Sequence, residues 1–399
     1  MTSLVEALQN GIKILKRKDD DIFDRLSNRY TIGVVMSVSL FLATKTYVGD
    51  PIDCFTPKEY HDNWVKYADN YCWIKNTYRV HINDSLPGPK GLPTLDHNSG
   101  EELPYYQWVP IILAFMLFVF SIPAYFWQFA MWSSGYDVEA IVSVTSDADN
   151  LNPEKRDEAN KYIVSQLDRH ISYHRHMTGH GRVHLGNRYG RYLFIMYVIT
   201  KCLYLAVPIV LIYMLSGMMG PGFADYGWRA VTSLNDKRGK YLENPMFPRI
   251  TYCDFAIRRM GGNIHRYTLQ CVLSVNLFNE KVFLLLWWWL VVLAGLTAFG
   301  LLWCLLINLR PNGGKSFILK YLKVMGAMDT VSAADHDDLN TFIGEYLSLD
   351  GIFCMRLLSQ NTTDVITAEI ITALYKRWKS LHGSGSNSSS KALLTDETA

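Results

Sequence analysis

The 399-residue sequence lacks the short motifs of the common enzyme classes. It contains neither the HExxH zinc motif nor the GxSxG turn that presents a serine nucleophile. The run GGKS at 313–316 resembles the end of a phosphate-binding loop, but Leu309 occupies the position of the glycine that such a loop needs. Basic patches interleaved with aromatic residues are missing too, and the net charge is only +2. We therefore expect no cofactor and no nucleic-acid partner.

Charged residues are also scarce in four long stretches of the chain. No Asp, Glu, Lys or Arg occurs within 108–131 or 282–309, and two further apolar stretches contain only Lys45 and Lys201. A bilayer span takes about 20 predominantly apolar residues, so the four stretches predict four membrane spans. The first thirty residues carry six Lys or Arg and lack a small-residue cleavage site, so the first span is expected to insert as an anchor.

Lysine and arginine near the span ends predict the orientation in the membrane. Within about twenty residues of the spans, one set of flanks holds fourteen basic residues and the opposite set holds six. Both termini are therefore expected in the cytoplasm, and two loops are expected outside the cell.

The expected fold is mainly α: a polytopic membrane protein with a four-helix transmembrane bundle, a disulfide-linked extracellular domain with some β-structure, and a helical cytoplasmic domain. The predicted segments are an amino-terminal segment and junction (1–30), the first span (31–48), the first extracellular loop (49–107), the second span (108–131), the cytoplasmic loop (132–191), the third span (192–217), the second extracellular loop (218–281), the fourth span (282–309), the cytoplasmic helical domain (310–382) and a flexible tail (383–399).

Four of the seven cysteines lie in the two predicted extracellular loops. Seventeen residues separate Cys54 from Cys72, and seventeen separate Cys253 from Cys271. An extracellular position favours disulfides over a metal site. Cys54 and Cys271 are nearer to a span than the other two, so matched depth favours the pairs Cys54–Cys271 and Cys72–Cys253; pairing within each loop is the alternative. Bridges between the loops would form a rigid docking surface.

Histidines are concentrated at the end of the cytoplasmic loop. Three interpretations are open: a solvated or headgroup-contacting loop, a pH sensor that uses imidazoles with a pKa of about 6.5, and a metal site. Glycines interrupt the helical spacing and no carboxylate is interleaved, so we expect no metal. The histidines are His170, His174, His176, His180 and His184.

Lys201 is a cation inside the third predicted span. No Asp or Glu lies inside any predicted span to pair with it, so we interpret it either as functional or as a side chain that snorkels to the cytoplasmic surface. The run KRKDDD at 16–21 is typical of a solvated junction, and the tryptophans at 287–289 are typical of an interfacial belt. Asn83 begins a glycosylation sequon on the extracellular side.

Several stretches closely resemble the innexins, the gap-junction proteins of invertebrates. YYQWVP is similar to the signature of that family; pannexins share the four-span plan but lack it. Its residues are Tyr105, Tyr106, Gln107, Trp108, Val109 and Pro110. The other stretches are GDPIDC (49–54), YCWIKNTY (71–78), SGYD (134–137), FPRITYCDF (247–255), LQCVLSVNLFNEKVFLLLWWW (269–289) and LDGIF (349–353).

This resemblance implies a gap-junction channel in the plasma membrane. It implies eight subunits around a wide pore, docked end to end with a hemichannel of an adjoining cell, with membrane lipids and other innexins as further partners. The two disulfides between the loops also match the family pattern. An undocked hemichannel, a membrane metalloenzyme that uses the histidine cluster and a purely adhesive protein are the alternatives.

The resemblance further implies that the amino-terminal segment folds into the pore. The amphipathic pattern of this segment alone predicts a helix on the membrane surface, which the resemblance replaces. Eight copies of Glu6 would form a ring of negative charge that favours cations. The residues expected at or near the constriction are Thr2, Ser3, Glu6, Gln9 and Asn10.

Overall fold

A computed structural model describes residues 20–80, 101–134, 138–145, 153–178, 190–234, 246–258, 261–328 and 333–382. In chain order the elements are α1 (Ile22–Tyr47), β1 (Asp53–Phe55), α2 (Asp62–Lys75), β2 (Thr77–Arg79), β3 (Glu101–Leu103), α3 (Val109–Ser134), α4 (Val138–Thr145), α5 (Pro153–Thr178), α6 (Tyr192–Met219), α7 (Tyr226–Leu234), β4 (Ile250–Arg258), β5 (Ile264–Val272), α8 (Ser274–Leu309), α9 (Gly313–Val324), α10 (Ala333–Thr341), α11 (Ser348–Asn361) and α12 (Asp364–His382).

Four of these helices, α1, α3, α6 and α8, are long and apolar enough to cross a membrane. Two of them begin well before the predicted spans: α1 begins at Ile22 rather than at 31, and α8 begins at Ser274 rather than at 282. Hydropathy detects only the apolar part of each helix. The added turns carry polar side chains, and Asp24, Asn276 and Glu280 among them bind partners inside the protein.

The described residues fall into two compact units. Tyr30–Ser121 and Leu205–Gly295 form one, which contains every described strand and is called the sheet unit below. The described parts of Met1–Arg29, Ile122–Tyr204 and Leu296–Ala399 form the other, called the helical unit. The sheet unit contains the described parts of the two loops that are predicted to be extracellular, and the helical unit contains the described elements that are predicted to be cytoplasmic.

The five described strands of the sheet unit form one antiparallel sheet in the order β1-β5-β4-β2-β3. Along β4 the side chains of Thr251, Cys253 and Phe255 are buried, and their neighbours are more exposed, as expected where only one face of a sheet is covered. Helix α2 covers that face, and the rings of Tyr67 and Tyr71 pack edge-on against Phe255.

The core of the helical unit is a cluster of buried apolar side chains. It is formed where α4, α5 and the helices from α9 to α12 pack with the adjoining ends of α3, α6 and α8. Asp168 of α5 joins α12 to this core, because its carboxylate lies 2.7 Å from Nε of Arg377 and accepts a hydrogen bond from the Tyr346 hydroxyl. This cytoplasmic part is therefore a folded helical domain.

Candidate functional site

Two disulfides cross from one extracellular loop to the other. Cys54 of β1 is joined to Cys271 of β5, and these residues are direct partners in the antiparallel ladder. Cys72 of α2 is joined to Cys253 of β4. This is the connectivity that matched depth favours, and neither loop pairs its own two cysteines. The first bridge fixes an edge strand to the sheet, and the second fixes the helix that covers it.

The sulfur atoms of Cys54, Cys72 and Cys271 lie within 4.8 Å of one another, a grouping that could suggest a metal site. All three sulfurs are in disulfides, however, and a cysteine must be a thiolate to bind a metal ion. The grouping is therefore the meeting point of two bridges.

Asp69 on α2 adds a further connection to β1. Its carboxylate accepts a hydrogen bond of 3.0 Å from the main-chain N–H of Cys54. Burial, together with the nearby carboxylates of Asp53 and Asp50, raises the pKa of Asp69, although the hydrogen bond from Cys54 acts in the opposite direction. Helix α2 is thus held to the sheet by a covalent and a polar contact on the same side.

The signature residues Tyr106 and Gln107 bind the end of α2. That helix ends at Lys75, and the next residue, Asn76, has a positive φ of 73°, so the last carbonyl groups need partners from elsewhere. The Gln107 amide donates to the Trp73 carbonyl and, at 3.1 Å, to Oδ1 of Asn76, while the Tyr106 hydroxyl donates to the same carbonyl at 3.3 Å. Both residues therefore act as a side-chain cap for the extracellular helix.

The other signature residues start α3 and bind the second loop. The Tyr105 hydroxyl donates to the Met246 carbonyl at 2.7 Å, and burial raises the pKa of Tyr105 so that it remains a donor. Val109 is buried, and Pro110 occupies the first turn of α3, where its missing N–H costs nothing. Trp108 is 56% exposed at the helix start, a position typical of a tryptophan at the membrane interface.

A buried polar group at the start of α8 also binds the second loop. The Asn276 amide donates to the Pro248 carbonyl at 2.9 Å. Glu280 is 2% exposed, and its carboxylate lies 2.9 Å from Arg249 and 3.2 Å from Lys281. These residues explain why α8 extends beyond its apolar part, and the sequence gives no sign that Glu280 is buried.

The tryptophans of α8 do more than form an interfacial belt. Trp287 is 7% exposed and donates its indole N–H to the Ala224 carbonyl at 3.1 Å. A Cβ atom on Gly227 would lie 2.0 Å from the Trp287 ring, so only glycine fits there. Trp289 donates to the Thr31 hydroxyl of α1 at 3.0 Å. Both indoles are therefore packing residues, and the belt interpretation is wrong for Trp287.

The LDGIF stretch holds the start of α6. The Asp350 carboxylate accepts main-chain hydrogen bonds from the first turn of α6, of which the bond from Phe194 is 3.1 Å long. Burial raises the pKa of Asp350 above the usual range, and these hydrogen bonds act against the rise. From the same helix, Arg356 donates to Ile307 and Asn308 at the end of α8. Helix α11 therefore caps one transmembrane helix at its start and another at its end.

Lys201 pairs with two carboxylates, which corrects the expectation that none is within reach. Its ammonium lies 2.8 Å from Asp24 and 3.2 Å from Asp21, and its side chain is only 2% exposed, so it does not snorkel. Asp24 is buried at the start of α1, so the 16–21 run does not lead into a solvated junction. Sequence reasoning missed this contact because the helix begins before the apolar residues of the span.

Some predicted site residues lie outside the described part of the chain. They are Thr2, Ser3, Glu6, Gln9, Asn10, Asn83, His180 and His184. His170, His174 and His176 lie on α5, but the structure describes only their backbone. Pore lining, glycosylation and pH sensing therefore remain predictions.

Four helices that can cross a membrane, two loops crosslinked to each other and a folded helical domain define a multi-pass membrane protein. The family described as Innexin matches residues 20–378, and the chain belongs to the innexin family, whose members are channels and not enzymes. It is a multi-pass gap-junction channel subunit of the plasma membrane.

Two individual innexins are similar to this chain over nearly their whole length. The chain is 30% identical over 389 residues to "Innexin unc-9" of Caenorhabditis elegans, an alignment that covers 95% of this chain and 97% of that protein. It is 32% identical over 375 residues to "Innexin-17" of Caenorhabditis elegans, with coverage of 90% and 94%.

Proposed function

We propose that eight copies of this chain form a hemichannel that docks with an apposed hemichannel and passes ions and small metabolites between adjoining cells. The observation that supports docking is the pair of disulfides between the loops, together with the contacts of Tyr106 and Gln107 with α2. A surface held in this way loses little conformational entropy when it binds, which favours association with a second rigid surface. Other innexins are candidate partners on the apposed cell, and membrane lipids surround the spans.

Current transfer between paired cells tests this proposal. Two cells that express only this chain should become electrically coupled and should exchange a small dye, whereas cells without it should not. Coupling would distinguish a channel from a purely adhesive protein. If single cells pass large-pore current but pairs never couple, the chain functions as an undocked hemichannel and the docking proposal fails.

We further propose that the amino-terminal segment lines the constriction, with Glu6 as the residue that favours cations. In a salt gradient, Glu6→Gln should move the reversal potential towards that of a less selective pore. Gln9→Glu is the matched opposite change, and it should increase the preference for cations because Gln9 lies on the same predicted polar face. An unchanged reversal potential in both variants would remove these residues from the pore.

The histidine cluster is retained as a pH-sensing proposal. Imidazoles with an ordinary pKa of about 6.5 change charge between about pH 6 and 7.5. Gating that is unchanged across this range would refute the proposal.

A further inference from the structure

The start of α1 contains a buried charged cluster that neither hydropathy nor the extracellular disulfides explain. It consists of Lys201 of α6 with Asp21 and Asp24, and all three belong to the helical unit. Lys201 lies nine positions after the first residue of α6, or about 14 Å along the helix at 1.5 Å per residue. A cation this far inside a span has either a functional role or a role in the stability of the fold, and the two must be told apart.

Two residues one helical turn apart on α6 bind the same carboxylate. The Tyr197 hydroxyl donates to Asp24 at 3.1 Å, and the Lys201 ammonium lies 2.8 Å from the other oxygen of that carboxylate. The ammonium also lies 5.2 Å from the centre of the Tyr197 ring. Asp21 is the N-cap of α1, where its carboxylate accepts from the Ile22 N–H and also contacts Lys201. The ammonium therefore binds the first turn of α1 at two points.

The same turn is also held by α11 and α8. Arg25 donates to Oδ1 of Asn361 at 2.6 Å and to the Asp20 carbonyl at 2.9 Å. Phe23 packs edge-on against Phe299 of α8, with ring centres 5.8 Å apart. Immediately afterwards, residues 26–30 form a π-helical turn, an irregularity that is frequent at functional sites. Residues 20–25 are thus fixed by contacts with three other helices.

We infer that Lys201 is a positioning residue for the pore: it fixes the first turn of α1, and through that turn it fixes the point from which residues 1–19 leave the membrane helix. This inference rests on the proposed function, in which the amino-terminal segment lines the constriction. A residue that acts in this way determines the conductance of each open channel. A residue that only stabilises the fold determines how many channels reach the membrane.

Single-channel recording of undocked hemichannels separates these two roles. We expect Lys201→Met and Asp24→Asn to lose the wild-type unit conductance, replacing it with a different level or with several levels. Their double variant should show a change no larger than that of Lys201→Met alone, because both substitutions disrupt the same contact. Tyr197→Phe removes one hydroxyl and keeps the ring, so it should fold and should change the unit conductance by a smaller amount than Lys201→Met does.

Asp168→Asn is the matched control. Asp168 is also buried in the helical unit, and it also binds one basic side chain and one tyrosine hydroxyl, but it connects α5 with α12 rather than with α1. We expect fewer channels from this variant and an unchanged unit conductance. A matching change in the Asp168→Asn channels would overturn the inference, because any lost ion pair would then have the same effect.

The inference is also overturned if Asp24→Asn and Tyr197→Phe channels open to the wild-type level, whatever their number at the surface. These two variants decide the question if Lys201→Met does not fold. Failure of the proposed function would look different. Either wild-type protein at the cell surface would carry no large-pore current, or Glu6→Gln and Gln9→Glu would both leave the reversal potential unchanged.

Discussion

The disulfide pairs make the most quantitative prediction about the extracellular domain. We consider the variants Cys72→Ser/Cys253→Ser and Cys54→Ser/Cys271→Ser, each of which removes one bridge without leaving a free thiol. The cysteines of each loop are eighteen positions apart. With one bridge intact, the other therefore closes a ring of about 36 residues, although its cysteines are 181 or 217 residues apart in sequence.

The size of this ring determines the expected cost. The chain-entropy relation for crosslinks gives about 4 kcal/mol for a ring of about 36 residues. Because both bridges close the same ring, the two variants should lose equal stability, despite their different positions in the fold. For a unit of this size, that loss corresponds to a fall of about 8–16 °C in the melting temperature.

Thermal unfolding of the detergent-solubilised protein measures both values. Melting temperatures that agree with each other and lie below the wild type by the stated amount would support the reasoning. A severe loss in one variant beside a negligible loss in the other would refute it, because local packing rather than ring closure would then determine the stability. Both variants should reduce the coupling of paired cells more than they reduce the hemichannel current of single cells, since only docking requires the extracellular surface.

Two further substitutions test packing and capping. Gly227→Ala should cost about 1–3 kcal/mol through overpacking, because its Cβ would lie 2.0 Å from Trp287; Gly295→Ala meets no atom within 4 Å and is the control. Equal melting temperatures in these two variants would contradict the packing. Asp350→Ala should cost about 1–2 kcal/mol by loss of a helix cap, whereas Asp350→Asn keeps an acceptor oxygen. Since burial raises the pKa of Asp350, its contribution is complete below the ordinary aspartate pKa of about 3.9 and is lost as the pH rises through the raised value. Melting curves should therefore show wild type losing stability relative to Asp350→Asn from about pH 4 upward, and the opposite trend would refute the assignment.

The sequence predicted those features that depend on local composition. Four spans follow from apolar stretches with at most one charged residue each, and a mainly helical cytoplasmic domain follows from helical periodicity. The disulfide connectivity needed one further step, the distance of each cysteine from the membrane. That step worked because the spans fix the depth at which each loop begins, so cysteines at similar distances from a span can meet.

The remaining features depend on contacts between residues that are far apart in sequence. Lys201 and Asp21 are separated by 180 positions in the sequence. Their pairing depends on the start of α1, which lies nine residues before the apolar part of that helix. Burial of a charge is unfavourable unless a partner is present, so composition argues against placing Asp24 in a helix that enters the membrane. Lys201 is the partner that makes the burial of Asp24 possible, and composition does not reveal this tertiary contact.

The signature residues show how one short stretch can organise a domain. Tyr105 binds the segment before β4, Tyr106 and Gln107 bind the end of α2, and Val109 and Pro110 begin α3. The first loop, the second loop and the second span therefore meet at six consecutive residues. Because the disulfides join the same two loops elsewhere in the sheet unit, loss of one attachment leaves the other in place. The signature residues thus connect the two loops by hydrogen bonds, and the disulfides Cys54–Cys271 and Cys72–Cys253 connect the same loops covalently.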